Sequence, residues 1–160
     1  MPDWLASGFS FAGLSVVVLQ QIPGIVRAVH PPAVDPFADN SGPVLVEIAE
    51  KTFGIATLAL VVVVFAPVPV PSAVSVAFLA CAYSVLAAYY AFYVLYYRGT
   101  RTLWVLLGMA AFPPLAFFLV ALSQGNYLAA STSVIFGAVH VGLTRSNLVK
   151  GRLRGAGQRA

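Results

Sequence analysis

The sequence predicts an all-α, polytopic membrane protein of five transmembrane helices, and three observations carry that expectation. Of its 160 residues, 60% are hydrophobic and only 9% charged. Five segments are long and apolar enough to cross a bilayer, and in the topology they make, every Lys and Arg falls on one side. A soluble domain carries roughly a quarter of its residues as charge, and a small chain cannot hide so large an apolar fraction inside itself. The mean hydropathy of +0.89 agrees. A net charge of +4 without a soluble cationic face excludes a nucleic-acid binder. Cys81, the single cysteine, excludes an intramolecular disulfide, a CxxC redox pair and a cysteine metal cluster.

A membrane helix needs about 20 mainly apolar residues. The expected spans are residues 4–26, 43–66, 73–97, 102–122 and 127–143, followed by a basic tail over 145–160. The first is expected to be a retained helix, because Asp3 precedes it and no basic residue occurs before Arg27, whereas a secretory signal opens with a cationic stretch. The second needs residues upstream of the run Phe53–Ala66 to reach across. Ser41 is a candidate N-cap, Pro43 suits the first turn, and Glu47 with Lys51 makes an i,i+4 pair. Glu47 and Glu50 then sit in early turns, where the helix dipole favours anions. Pro67, Pro69 and Pro71 stop the helix from running on into the third span. In the fourth, Pro113 and Pro114 remove the donors that would bond the carbonyls of Met109 and Ala110.

The nine basic residues are Arg27, Lys51, Arg98, Arg101, Arg145, Lys150, Arg152, Arg154 and Arg159. With five spans they all share a side with the C-terminus, so positive-inside bias predicts the N-terminus outside and the C-terminus in the cytoplasm of a bacterial cytoplasmic membrane. Arg145, Lys150, Arg152 and Arg154 are expected to meet anionic lipid. Ala129, Ser133 and Gly137 recur every four residues, a stripe on which another helix approaches closely, in this chain or in an oligomer or membrane-protein partner.

Polar groups in such a chain are few, and each is weighed against a structural role. His140 lies near the small-residue stripe and, with Glu47 and Glu50, is a candidate for acid–base or ligand-binding work. The competing role is a histidine bonded between helices. The loop from His30 to Gly42, HPPAVDPFADNSG, places His30, Asp35 and Asp39 where a hard divalent cation could be held, against the alternative of a solvated loop. The third span carries Tyr83, Tyr89, Tyr90, Tyr93, Tyr96 and Tyr97. Residues 83, 90 and 97 share one helical face and 89, 93 and 96 a neighbouring one. Tyr96 and Tyr97 suit interfacial anchoring. Tyr83, Tyr89, Tyr90 and Tyr93, with Gln20 and Gln21 of the first span, are candidates for lining a ligand pocket, or else for helix packing.

Several short stretches together resemble a loosely defined group of small five-helix bacterial membrane proteins: the HPP loop, VEIAEKTFG, YYRGTR, a proline-broken fourth helix and FGAVHVGL. The resemblance implies a shared fold and a shared role for His140 and the Glu47–Glu50 region, and no activity. The translocator (tryptophan-rich sensory) proteins are similar in size, span count and long first loop. This chain has only Trp4 and Trp104 and lacks their aromatic pattern, so that likeness is one of architecture.

The function expected from the residues is a non-catalytic component that binds or passes a small molecule or lipid, or an accessory subunit, with no cofactor called for. The alternative is a membrane-embedded enzyme acting on a lipid or isoprenoid at the cytoplasmic face. What separates them is whether Glu47, Glu50, His30 and His140 converge in one cavity.

Overall fold

Ser10 starts the first helix: its hydroxyl oxygen accepts from the Gly13 amide at 2.9 Å, so α1 (Phe11–Val29) begins at residue 11. The computed structural model describes residues 7–32, 42–65 and 69–157. The expectation of a helix from residue 4 is corrected here. Ser7–Phe9 is a short strand, β1, ahead of the cap.

A matching break ends the second helix. The helix α2 (Val44–Val62) follows Pro43, and Glu47 reaches back to accept from the Gly42 amide at 3.1 Å, serving an early backbone donor as a capping glutamate does. Ser41, the expected cap, lies outside the described residues. The expected helix to residue 66 is also corrected, because Val63–Phe65 forms a strand, β2. The β-branched run through Val61–Val64 suits extended backbone, and β1 supplies a partner antiparallel to it, with Ser7 opposite Phe65 and Phe9 opposite Val63. The Ser10 amide continues the pairing onto the Val62 carbonyl at 2.8 Å. Both broken helix ends thus satisfy each other's backbone groups.

Three longer helices complete the bundle: α3 (Ser72–Tyr97), α4 (Leu103–Ser123) and α5 (Tyr127–Gly157). A tight turn joins α3 to α4, closed by Thr100 N–H to the Leu95 carbonyl at 2.9 Å around Gly99, whose φ of +92° suits glycine. The helix α5 does not stop near Leu143. It carries on through Arg145, Lys150, Arg152 and Arg154, so most of the expected basic tail is helix. Among the described residues the fold is all-helical apart from the two-strand ribbon, with five helices. Four of them, α1, α3, α4 and the Tyr127–Lys150 part of α5, are long and apolar enough to cross a membrane.

The helix α4 is the centre. It is buried on one face at Leu106, Met109, Pro113, Phe117 and Val120 and beside it at Val105, Ala110, Pro114 and Ala121, and packs along both α3 and α5. The stripe of Ala129, Ser133 and Gly137 is used inside the molecule: Ala129 and Ser133 are buried, and a Cβ on Gly137 would lie 3.0 Å from Pro114. By contrast α1 is peripheral, with Leu14, Val18, Ile22, Ile25 and Val29 exposed.

Three tyrosine hydroxyls tie α1 to α3. Tyr83 meets the Ser15 hydroxyl at 2.6 Å, Tyr90 donates to the Leu19 carbonyl at 2.7 Å, and Tyr97 donates to the His30 carbonyl at 3.1 Å. Ser15 itself donates to the Ala12 carbonyl at 2.8 Å, which leaves Tyr83 as the donor in the first contact. The second contact has a definite cause. Pro23 has no N–H to offer the carbonyl four residues back, Leu19, and the Tyr90 hydroxyl takes that place.

Opposite ends of the bundle differ in chemistry. Among the described residues the ribbon end carries no charged side chain and is knit by amides: Gln124 Nε2 donates to Ser10 Oγ at 2.7 Å and to the Val61 carbonyl at 3.2 Å, and Asn126 Nδ2 to the Leu60 carbonyl at 2.7 Å. Arg27, Lys51, Arg98, Arg101, Arg145 and Lys150 lie in the other halves of their helices or just beyond.

Candidate functional site

Glycine at position 54 allows α5 to come close to α2. A Cβ there would meet the Phe136 ring at 3.2 Å, so the ring rests on the bare backbone. One turn along α5, His140 stacks on Phe136, with ring centroids 5.2 Å apart and planes 27° apart. One turn back along α2 is Glu50, and its Oε1 is in hydrogen-bonding contact with His140 Nδ1. Two i,i+4 pairs on antiparallel helices therefore face each other: Glu50 with His140, and Gly54 with Phe136. Nδ1 is the ring nitrogen engaged by the carboxylate, which leaves Nε2 as the imidazole atom available for other work. Both side chains are partly open, His140 at 30% and Glu50 at 21% exposure.

They open onto a cavity of about 270 Å³ to which all five helices contribute. From α1 come Gln20, Gly24 and Arg27, and from α3 Tyr89 and Tyr93. The Met109, Ala110 and Pro113 face of α4 forms a further wall, and Phe136, Leu143, Thr144 and Asn147 join His140 from α5. The proline break expected in α4 thus lies on the cavity. Pro113 and Pro114 lack the N–H groups that would bond the Met109 and Ala110 carbonyls, and both of those residues line the space.

The two tyrosine faces part company here. The face of Tyr89, Tyr93 and Tyr96 is buried in the core, with the Tyr89 and Tyr93 rings edge to face at 5.0 Å. Gln20 and Tyr93 are polar side chains beside the Tyr89 hydroxyl. The face of Tyr83, Tyr90 and Tyr97 instead fastens α1, as described above.

Of the residues singled out from sequence, the cavity brings together Glu50, His140, Gln20, Tyr89 and Tyr93. Glu47 is one turn away and engaged at the helix start. Tyr83 and Tyr90 lie between α1 and α3, and Gln21 is exposed outside the cavity. His30 is exposed at the end of α1, its carbonyl bonded by Tyr97. Asp35 and Asp39 fall outside the described residues, and among the described residues no three His, Cys, Asp or Glu side chains form a metal-binding group. Phe136, Arg27, Thr144 and Asn147 also line the cavity, although the sequence did not single them out as site residues. The Phe136–His140 spacing was a readable signal. Thr144 and Asn147 were hidden by ending the fifth helix too early.

Chemically, a carboxylate that orients an imidazole, beside two phenols and an amide, can fix a small polar group, accept a proton from it or return one. No family model, curated protein or solved structure matches this chain.

Proposed function

We propose that the chain is an integral membrane protein with five spans, α2 among them, that holds the polar part of a small molecule or lipid in the cavity around Glu50 and His140. The observation that carries this reading is the convergence of five helices on one polar space in a bundle with so few polar side chains. α2 misses the apolar standard of the other helices through Glu47, Glu50 and Lys51, each in its first half. Glu47 is accounted for by the cap on Gly42 and Glu50 by the cavity, Lys51 is exposed, and the second half carries no charge. The location proposed is a bacterial cytoplasmic membrane, with the basic end of the bundle and the C-terminus inside and the ribbon end outside. On that reading the cavity opens toward the cytoplasmic headgroups, where Arg27, Thr144 and Asn147 lie.

The test is ligand-dependent stability in detergent, with short-chain carboxylates and alcohols small enough to enter from water. Wild-type protein is expected to gain several degrees in melting temperature with at least one of them, by mass action on the folded state. Glu50→Gln and His140→Ala are expected to lose the gain. A gain that survives in both variants contradicts the assignment.

Of Glu47, Glu50, His30 and His140, only Glu50 and His140 meet in the cavity, and their contact is what is left to support a second reading, acid–base catalysis on a lipid or isoprenoid. Incubation with lipid extracts and mass spectrometry separates the two. Turnover that vanishes in His140→Ala supports catalysis, and binding without turnover supports a carrier or accessory role.

A further inference from the structure

Of the four polar side chains on α1, three are provided for inside the molecule. Ser15 is bonded to the Ala12 carbonyl and to Tyr83, Gln20 lies on the cavity beside the Tyr89 hydroxyl, and Arg27 lies on the cavity too. Gln21 is the exception. It is exposed, and its amide makes no hydrogen bond among the described residues. It stands ten residues from the start of α1 at Phe11 and eight from its end at Val29, roughly 15 and 12 Å along the axis. Side chains tilt toward the N-terminus of their helix, so this one leans away from the nearer end. With α1 across the bilayer, the amide sits in hydrocarbon, where lipid tails offer it no partner. Ser84, also exposed, escapes that cost by donating to its own helix at the Ala80 carbonyl, 2.9 Å away.

We infer that a second copy of this chain covers this face, so that α1 packs on α1 of the partner with the two Gln21 amides bonded to each other. Leu14, Val18, Gln21, Ile25 and Ala28 follow one another at steps of four and three residues, the spacing of a coiled-coil seam, and all five are exposed. Gly13, Val16 and Pro23, the buried residues of α1, lie on the opposite side of the helix. Copies inserted in the same sense present α1 parallel, and about a two-fold axis along the membrane normal each layer of the seam meets itself at its own depth. An amide is suited to that meeting, because it carries both a donor and an acceptor and so complements an identical amide. One polar residue among apolar layers fixes the register of such a pair, and interhelical amide bonds of this kind hold helices together in lipid. The inference rests on the proposed membrane placement of α1 and not on what the cavity holds.

The test is disulfide trapping of the full-length chain in the membranes of the cells that express it, in a Cys81→Ser background. Single cysteines are placed on the seam, Val18→Cys or Ile25→Cys, and beside it on the α3 side, Ile22→Cys or Val26→Cys. All four positions are exposed, so none of these changes disturbs the core. Mild oxidation is expected to give a covalent dimer from the two seam positions and not from the other two. Adding Gln21→Leu to Val18→Cys is expected to lower the dimer yield about threefold or more, the usual worth of interhelical bonds of this kind, and Gln21→Asn to keep most of it. A yield unchanged by Gln21→Leu, dimer from all four positions alike or from none, or a crosslinked product of any mass other than twice that of the chain would overturn the inference. Extraction with alkaline carbonate provides the separate control. If the protein stays in the membrane while the seam cysteines give no dimer, the second copy falls and the membrane placement remains. If carbonate releases the protein, both fall.

Discussion

Tyr90 and Pro23 illustrate how little freedom a polar atom has in this molecule. The proline leaves the Leu19 carbonyl without its helical donor, and the nearest hydroxyl of α3 supplies one at 2.7 Å. Removing that hydroxyl in Tyr90→Phe is expected to cost about 1–3 kcal/mol, the usual penalty for an acceptor left unpaired away from water. Tyr83→Phe is expected to cost less, since Ser15 keeps its own bond to the Ala12 carbonyl. Thermal unfolding in one detergent compares the two, and equal losses contradict the role given to Pro23. The contact between Glu50 and His140 makes a second residue-scale prediction. Glu50→Gln and His140→Ala are expected to be non-additive, with a coupling of roughly 1–3 kcal/mol in a double-mutant cycle of stability. The two tyrosine faces were legible from spacing alone, because a helix repeats its faces every seven residues or so. Which face fastens α1 and which lines the cavity was not, since that depends on partners some 70 positions away, as in Tyr90 with Leu19.

At the level of elements, sequence and structure part at α1 and α2. Apolar stretches such as Val61–Phe65 score alike as helix or strand by hydropathy, and here a distant partner, Ser7–Phe9, decides for strand. A helix cap can be read locally, yet Ser10 as a cap was masked by the apolar residues on both sides of it. Two glycines of α1 are expected to respond in opposite ways. A Cβ at Gly13 would collide with the Val61 backbone carbonyl, so Gly13→Val is expected to destabilise by about 1–3 kcal/mol as a typical overpacking change. A Cβ at Gly24 meets nothing, so Gly24→Ala is expected to stabilise by up to ~1 kcal/mol through helix propensity. Chemical or thermal denaturation of the two variants checks the contrast, and a loss of similar size in both would contradict the packing of α1 against α2.

For the whole molecule, the scarcity of charge is what makes function legible. The described basic residues gather toward one end, the ribbon end is closed by amides, and the polar cavity lies toward the charged end. The alternation of apolar spans with one-sided charge is written in the sequence itself. The cavity was only half legible there: His140 and Glu50 stood out as rare ionisable groups, whereas their pairing needed Gly54 to bring two helices together. On the proposed orientation, a cytoplasm-dependent reporter fused after residue 160 is expected to be active, and a periplasm-dependent one silent. The central claim is a water-reached polar cavity, centred on Glu50 and His140, that opens at the basic end. It is tested most directly by thiol accessibility at Thr144, which lines that cavity. In a Cys81→Ser background, Thr144→Cys is expected to react with a membrane-impermeant maleimide in inverted vesicles and not in intact cells, with Ala116→Cys in the buried core of α4 unreactive in both. Reaction of Thr144→Cys from the outside, or from neither side, would contradict the account.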